Sequence, residues 1–318
     1  MDFALSDAQR AWQDTARSLA REWPRTGLTA AVAASAHAAG MFADDLDAPA
    51  AVAIVEAAGI EHPVGAVSLA LQVAVNVSLA DAVALTPSTG RAVALSSETR
   101  PRLEGERLTG RALWVGPLAD DTALIVGATQ GDETVACAVA PGASATSVER
   151  IHAAGLHGFE CAHLGFDGTP CVVLGSPRPV MARVRVLLAA AGIGMGRRAA
   201  REALRAALAY GRTGAGGEQT VQGLLADAAT ELDAAMLLVQ QAALRSPMSL
   251  AQASMAKLAA SEAAQRAVAR ATQIVGAESF REGHILEQLT QDVRALELFA
   301  GRTEALREAV ADEVLPRG

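Results

Sequence analysis

Two neighbouring stretches decide how the chain is read: Gln273-Ile274-Val275-Gly276-Ala277-Glu278-Ser279-Phe280, and Gln288-Leu289-Thr290-Gln291-Asp292-Val293-Arg294-Ala295-Leu296-Glu297-Leu298-Phe299-Ala300-Gly301-Arg302-Thr303-Glu304. The first ends a long alanine-rich helical pattern that Pro247 opens and that reaches Gly276, where glycine allows close backbone approach. Two shorter helices follow, around Ile285 to Ala295 and Thr303 to Val314. Upstream, the periodicity predicts helices from Val184 to about Tyr210 and from Glu218 to Arg245, separated by the break Gly211 to Gly217. Long helices with short connections are antiparallel neighbours in a bundle.

Before the bundle the pattern changes. Ala92 to Leu95, Arg107 to Gly116, Thr122 to Ala128, Thr134 to Ala140, His163 to Gly168 and Cys171 to Gly175 read as strands or extended chain bounded by Gly, Asp and Pro. Further upstream the chain is helical again. Ser6 starts a helix that Pro24 ends, and others run from Leu28 to Ala39, Pro49 to about Ala58 and Pro63 to about Leu79. The expected fold class is α+β: an N-terminal helical domain over 1–86, a central β domain over 87–177 and a C-terminal helical bundle over 178–318.

Composition narrows the function. The formal charge of −8 argues against a nucleic-acid partner, which needs a basic face. No apolar run reads as long enough for a membrane span, and the start Met1-Asp2-Phe3-Ala4 lacks the basic region of a signal peptide. Cys137, Cys161 and Cys171 are odd in number and lack metal-ligand spacing, so they read as buried, reduced thiols of a cytoplasmic protein.

The two opening stretches resemble the C-terminal signature of the acyl-CoA dehydrogenase family, which runs Q-I-x-G-G-x-G-[YF], then R-D-x-R, then [YF]-E-G-T. Ala4 to Arg10 resembles that family's first helix, and the order of helices, small β domain and bundle resembles its architecture. The resemblance implies FAD as cofactor and an acyl-CoA substrate. It also implies a glutamate that removes the α-proton of the thioester while a hydride leaves for the flavin. The common position of that base is Ala300 here. The alternative position, before an arginine at the start of the first C-terminal helix, is Val184, followed by Arg185. Neither is a carboxylate. Glu297 and Glu304 lie nearby and read as two solvated helix charges. The loop T-E-P-x-x-G-S-D becomes Leu95 to Arg102 without its glycine, serine and aspartate. The strand W-I-[TS] becomes Trp114-Val115-Gly116 without its hydroxyl, leaving Trp114 as a packing residue.

Positions that the family uses across subunits are better kept. The resemblance assigns contacts with the ADP half of FAD to Arg212, Thr213, Gln219, Gln273, Gly276 and Ala277. Asp292 and Arg294 read as structural pairing between helices. This asymmetry is similar to the shortened, non-catalytic subunit of the heteromeric (α2β2) acyl-CoA dehydrogenases of steroid side-chain degradation. It implies a full-length homologue as partner, one that carries the glutamate and holds most of the acyl-CoA, with FAD shared at the interface. The other readings are a diverged stand-alone flavoenzyme and a flavin-free scaffold of the same fold. Gly192-Ile193-Gly194-Met195-Gly196 lacks the strand and spacing of a dinucleotide loop and reads as close helix packing. His152, His157, Cys161 and His163 match no zinc pattern.

Overall fold

A computed structural model describes residues 5–43, 46–85, 90–94, 99–143, 145–211 and 218–315. Ser6 caps the first helix reciprocally: its hydroxyl accepts from the Gln9 amide, and the Gln9 side chain accepts from the Ser6 amide. The N-terminal helices are α1 (Asp7–Glu22), α2 (Leu28–Ala38), α3 (Ala48–Glu61) and α4 (Pro63–Ala80). Proline in the first turn of α3 and of α4 sits where its missing N–H costs nothing.

The strands are β1 (Gly90–Ala94), β2 (Arg102–Glu104), β3 (Arg107–Val115), β4 (Thr122–Gln130), β5 (Glu133–Val139), β6 (Ser147–Ile151), β7 (Cys161–Pro170) and β8 (Val172–Gly175). They form one mixed sheet in the order β6-β7-β3-β2-β4-β5-β8, with β1 also pairing parallel to β4. The sequence pattern did not show β2 and β6. β2 is only three residues long, and β6 is an exposed edge strand with no apolar alternation.

The bundle comprises α5 (Arg178–Ala209), α6 (Gln219–Ala243), α7 (Leu250–Val275), a short 3-10 helix (Gly276–Phe280), α8 (Ile285–Leu298) and α9 (Thr303–Val314). Two starts differ from expectation. α5 begins at Arg178 rather than Val184, because Pro179 is tolerated in a first turn. α7 begins after Ser249, whose hydroxyl accepts from the Gln252 amide, rather than at Pro247.

Helices from both ends of the chain share one hydrophobic core, while the sheet encloses a second, smaller one. The glycine run in α5 makes the first core possible. A Cβ on Gly194 would lie 2.5 Å from the Glu56 carbonyl oxygen and 2.8 Å from the Gly59 Cα, so the two backbones nearly touch. This is the close packing that the run suggested. Contrary to the sequence reading, α4 and α5 are long and apolar enough to span a membrane by length and composition alone. Both are largely buried among other helices of the shared core, which removes the same apolar surface from water. Arg91 ties sheet to helices: its Nε donates to Asn76 Oδ1 at 2.7 Å, and its guanidinium lies 3.9 Å over the Phe42 ring.

Candidate functional site

The turn between α8 and α9 holds the position where a base was sought. Ala300 has φ +58, in the left-handed region that side chains other than glycine rarely adopt. Two buried cations fix this turn from below. Arg185 Nε donates to the Ala300 carbonyl at 3.1 Å, and its Nη1 donates to Ser254 Oγ at 2.6 Å. Lys257 Nζ donates to the carbonyls of Glu297 at 3.0 Å and Gly301 at 3.4 Å. Burial pushes the Lys257 ammonium down to about 7, with Arg185 adding repulsion. Burial likewise lowers Arg185 to about 10. The turn's carbonyls are thus engaged on the α5 and α7 side.

On its other side the turn lines a cavity of about 880 Å3 between the sheet and the bundle. Ala300 and Val184, the two places where a carboxylate was sought, both line it, together with Trp114, Leu156, Met181 and Phe299. Among the described residues, the non-glycine positions with positive φ are Trp114 (φ +54), Leu156 (φ +57) and Ala300. All three line this cavity, each from a different segment. Strained backbone persists where the surroundings hold it, and it gathers at functional sites.

The loop from His152 to Phe159 closes one wall. It is tied to α8 by the Leu156 amide, which donates to Asp292 Oδ1 at 2.5 Å. A Cβ at Gly155 would meet the Gln291 carbonyl oxygen at 2.5 Å, so the loop lies directly on the helix. The Phe159 and Phe299 rings meet edge to face, with centroids 5.4 Å apart. Asp292 therefore anchors a loop of the β domain, and Arg294 pairs with Glu297 within α8. This corrects the expected pairing between helices: α8 presents Asp292 toward the sheet domain. Burial raises the Asp292 carboxyl to about 6, partly offset by the Leu156 amide.

No aspartate or glutamate among the described residues lines the cavity. Glu297 is not the solvated charge expected. It is 9% exposed and accepts from Gln265 Nε2 at 2.7 Å, from Thr303 Oγ1 at 2.6 Å and from Arg294. These partners hold it below the usual carboxylate range despite its burial, so it stays ionised and committed. Glu304 is exposed, 3.9 Å from Arg302. The polar side chains that do line the cavity are largely occupied. Thr290 Oγ1 donates to the Leu286 carbonyl, Gln291 bonds both Glu287 and His157, and Arg294 bonds Glu297. Trp114 is half-exposed and stacks edge to face on His163 at 5.9 Å, while its amide donates to His163 Nδ1 at 3.2 Å. His152, His157 and His163 thus face three different environments: the cavity wall, Gln291 and Trp114.

The positions assigned to a nucleotide lie elsewhere. Gln219 opens α6, Gln273 lies in the last turn of α7, and Gly276 and Ala277 follow it. All four are exposed. α6 and α7 run side by side, joined where Arg270 near the end of α7 pairs with Glu231 at the middle of α6 at 2.7 Å. Gln273, Gly276 and Ala277 lie together at the end of α7, and Gln219 stands at the start of α6. A Cβ on Gly276 would meet nothing within 4 Å, so that backbone is open to approach. Arg212 and Thr213 lie outside the described residues, as do Leu95 to Glu98 of the altered loop.

Sequence reasoning missed Lys257, the anchoring role of Arg185 and the loop from His152 to Phe159. For Lys257 a signal was present. It stands on the stripe Ala253, Lys257, Ala260, Ala264, and a lysine at helical spacing among buried alanines is out of place unless it has work inside. The loop carried no such signal, because its role depends on where α8 passes.

Residues 178–315 match the family of acyl-CoA dehydrogenase C-terminal domains. Over 100 residues the chain is 31% identical to cyclohexane-1-carbonyl-CoA dehydrogenase of Geobacter metallireducens, a match covering 30% of this chain and 26% of that protein. The matched segment thus spans about a quarter of the length of that relative. Butyryl-CoA dehydrogenase from Megasphaera elsdenii superposes with a TM-score of 0.81 over 99% of this chain and 100% of that one, at 17% identity. PigA, solved with FAD and proline, superposes with a TM-score of 0.83 over 99% of each chain, also at 17% identity. The chain has the acyl-CoA dehydrogenase-like fold. The family match covers the C-terminal bundle, and the structural neighbours, at 17% identity, share the fold of the whole chain.

Proposed function

We propose that this chain is the subunit without a base in a heteromeric, FAD-dependent acyl-CoA dehydrogenase. Its partner is a full-length homologue that carries the glutamate and holds the CoA thioester, with the side chain of a steroid as the proposed acyl class. The observation that carries this reading is the cavity at Ala300. Its backbone takes positive φ at Ala300 and its turn is clamped by Arg185 and Lys257, yet among the described residues no carboxylate faces it.

The residues present fit one half of FAD and not the other. At the end of the bundle, Gln219 and Gln273 offer exposed amides and Gly276 an open backbone, which suits ribose and phosphate oxygens presented by a neighbouring chain. Around the cavity, the side chains that could address a flavin ring are mostly apolar or already hydrogen-bonded, His152 being the exception. FAD, when bound, supplies the hydride acceptor of such a reaction. This chain's residues would orient and enclose: the bundle end holds the nucleotide half, and the cavity wall excludes water. Neither Ala300 nor Val184 can take a proton.

Co-expression with a homologue that carries the glutamate tests the reading. The complex should be yellow and desaturate acyl-CoA, whereas this chain purified alone should hold less than stoichiometric flavin. A stable homotetramer with one flavin per chain would end the proposal. Ala300→Glu is the sharper control. It restores the carboxylate but not the ring-facing partners, so no acyl-CoA oxidation by the variant alone is expected.

A further inference from the structure

A second cavity, of about 890 Å3, opens at the other end of the bundle. It lies where the starts of α3, α5 and α7 meet the ends of α6 and α9. Three arginines line it: Arg178 and Arg183 from the first turns of α5, and Arg245 from the turn after α6. Arg178 and Arg245 are exposed and Arg183 is half-buried. Among the described residues, none of the three guanidiniums makes an ion pair or a side-chain hydrogen bond. Arg21, Arg197, Arg201, Arg266 and Arg270, by contrast, pair with carboxylates across helices, and these three are gathered at one cavity.

The carboxylates that line the same cavity are already engaged. Asp47 Oδ1 accepts from the Ala50 amide at 2.6 Å, and Glu313 Oε2 accepts from Ser249 Oγ at 2.9 Å. Arg178 is also close enough to Arg185 for their charges to repel. In a chain of net charge −8, three arginines against these two carboxylates leave the cavity lining with an excess of positive charge. The wall also carries the apolar side chains of Pro49, Pro179, Pro247 and Met248, beside Ser246 and Ser249.

We infer that this cavity binds a nucleoside diphosphate moiety. Guanidiniums present forked donors that match phosphate oxygens two at a time. The N-terminal ends of α3, α5 and α7 open on the cavity and add to the attraction, partly offset by the C-terminal ends of α6 and α9 that meet there. The volume is far beyond a single phosphate and lies in the range of small-molecule sites. The proline and methionine wall gives a flat base an apolar surface to lie on. A concave site of this kind suits a small ligand better than an acidic protein surface.

The site is separate from both places described above. Arg178 and Arg183 leave α5 toward this cavity, whereas Met181 and Val184 line the one at Ala300. Gln219 and Gln273 lie at the far end of α6 and α7, and 25 residues of α6 span roughly 37 Å at ~1.5 Å per residue. The inference therefore does not depend on FAD or on a partner chain.

Calorimetric titration of the full chain with ADP, coenzyme A, inorganic pyrophosphate and adenosine tests it. ADP should bind, adenosine should bind at least about tenfold more weakly, and added salt should weaken ADP. Arg183→Gln combined with Arg245→Gln should raise the ADP dissociation constant about tenfold or more, while Gln273→Ala should leave it unchanged. Binding of coenzyme A at least as tight as ADP would identify the diphosphate as the tail of a thioester, and ADP alone would identify a free nucleotide. Both outcomes support the site. Pyrophosphate binding as tightly as ADP would mean an anion site only and overturn the nucleotide assignment. Absence of ADP binding, or ADP binding untouched by the substitutions, would overturn it altogether. Arg245→Gln by itself, at an exposed turn, keeps the test readable should the double variant fold poorly.

Discussion

The turn at Ala300 and the bundle end at Gln273 lie on the same helical body and are built in opposite ways. At the turn, polar groups are committed. Arg185 and Lys257 bind the carbonyls of Glu297, Ala300 and Gly301, Glu297 takes three donors, and a methyl group and the Phe299 ring face the cavity. At the bundle end, Gln219, Gln273, Gly276 and Ala277 are exposed, and the backbone at Gly276 is open. The first region spends its polar groups on holding a shape, and the second leaves them open to solvent. Backbone geometry and the side chain that faces a cavity thus rest on different atoms.

Disturbing the turn should therefore affect stability, and disturbing the bundle end should not. The largest effect is expected from Arg185→Ala, which strips the Ala300 carbonyl and Ser254 of a charged donor. A loss of about 2–3 kcal/mol in denaturant unfolding is expected, as for buried bonds to a charged group. A loss below about 0.5 kcal/mol, the size of an ordinary surface change, would mean that the turn holds itself.

Lys257→Met should show itself through pH. The ammonium is held near 7 in the fold against an ordinary 10.5, so between those values the unfolded chain binds the extra proton. Stability from this group is complete above about 10.5 and is lost as pH falls through about 7. Wild type should therefore gain stability from pH 7 to 9, and the variant should lack that gain. Identical slopes would show that Lys257 does not titrate as described.

Asp292→Asn should act in the opposite sense and lower on the scale. Here the folded value, about 6, lies above the ordinary 3.8, so the fold binds the extra proton between them. That contribution is complete below about 3.8 and is lost as pH rises through about 6. The asparagine oxygen still accepts from the Leu156 amide, so the variant should keep its loop and lose the decline. Unfolding curves at pH 4, 5 and 6 measure this; an unchanged decline would assign it to other carboxyls.

The smallest effect on the isolated chain is expected from Gln273→Ala, within about 0.5 kcal/mol for an exposed position. Its effect should appear only in the co-expressed complex, as a severalfold drop in bound flavin measured by absorbance. Full flavin occupancy would show that this end of the bundle is ordinary surface.

The helices were legible because their signals are local. Ser6 with Gln9, proline in a first turn, and alanine and leucine at helical spacing act over four or five residues, whatever surrounds them. The edge strand β6 escaped because it buries nothing that a pattern could mark. The apolar length of α4 and α5 was misread, and length and hydropathy do not say which surface covers a helix. At the site, the missing carboxylates at Ala300 and Val184 could be read directly. What became of Glu297 could not, since its partners Gln265, Thr303 and Arg294 come from three separate segments.

By itself, the order of residues determined the helical, strand and helical segments, and the absence of a proton acceptor at two positions, because side-chain identity and short-range periodicity need no third dimension. Only the folded chain decided that Trp114, Leu156 and Ala300 surround one cavity, that Lys257 is buried beneath a turn forty residues away, and that Arg178, Arg183 and Arg245 share a second cavity. Such meetings depend on how helices cross at Gly59 and Gly194, and a crossing is set by two surfaces at once.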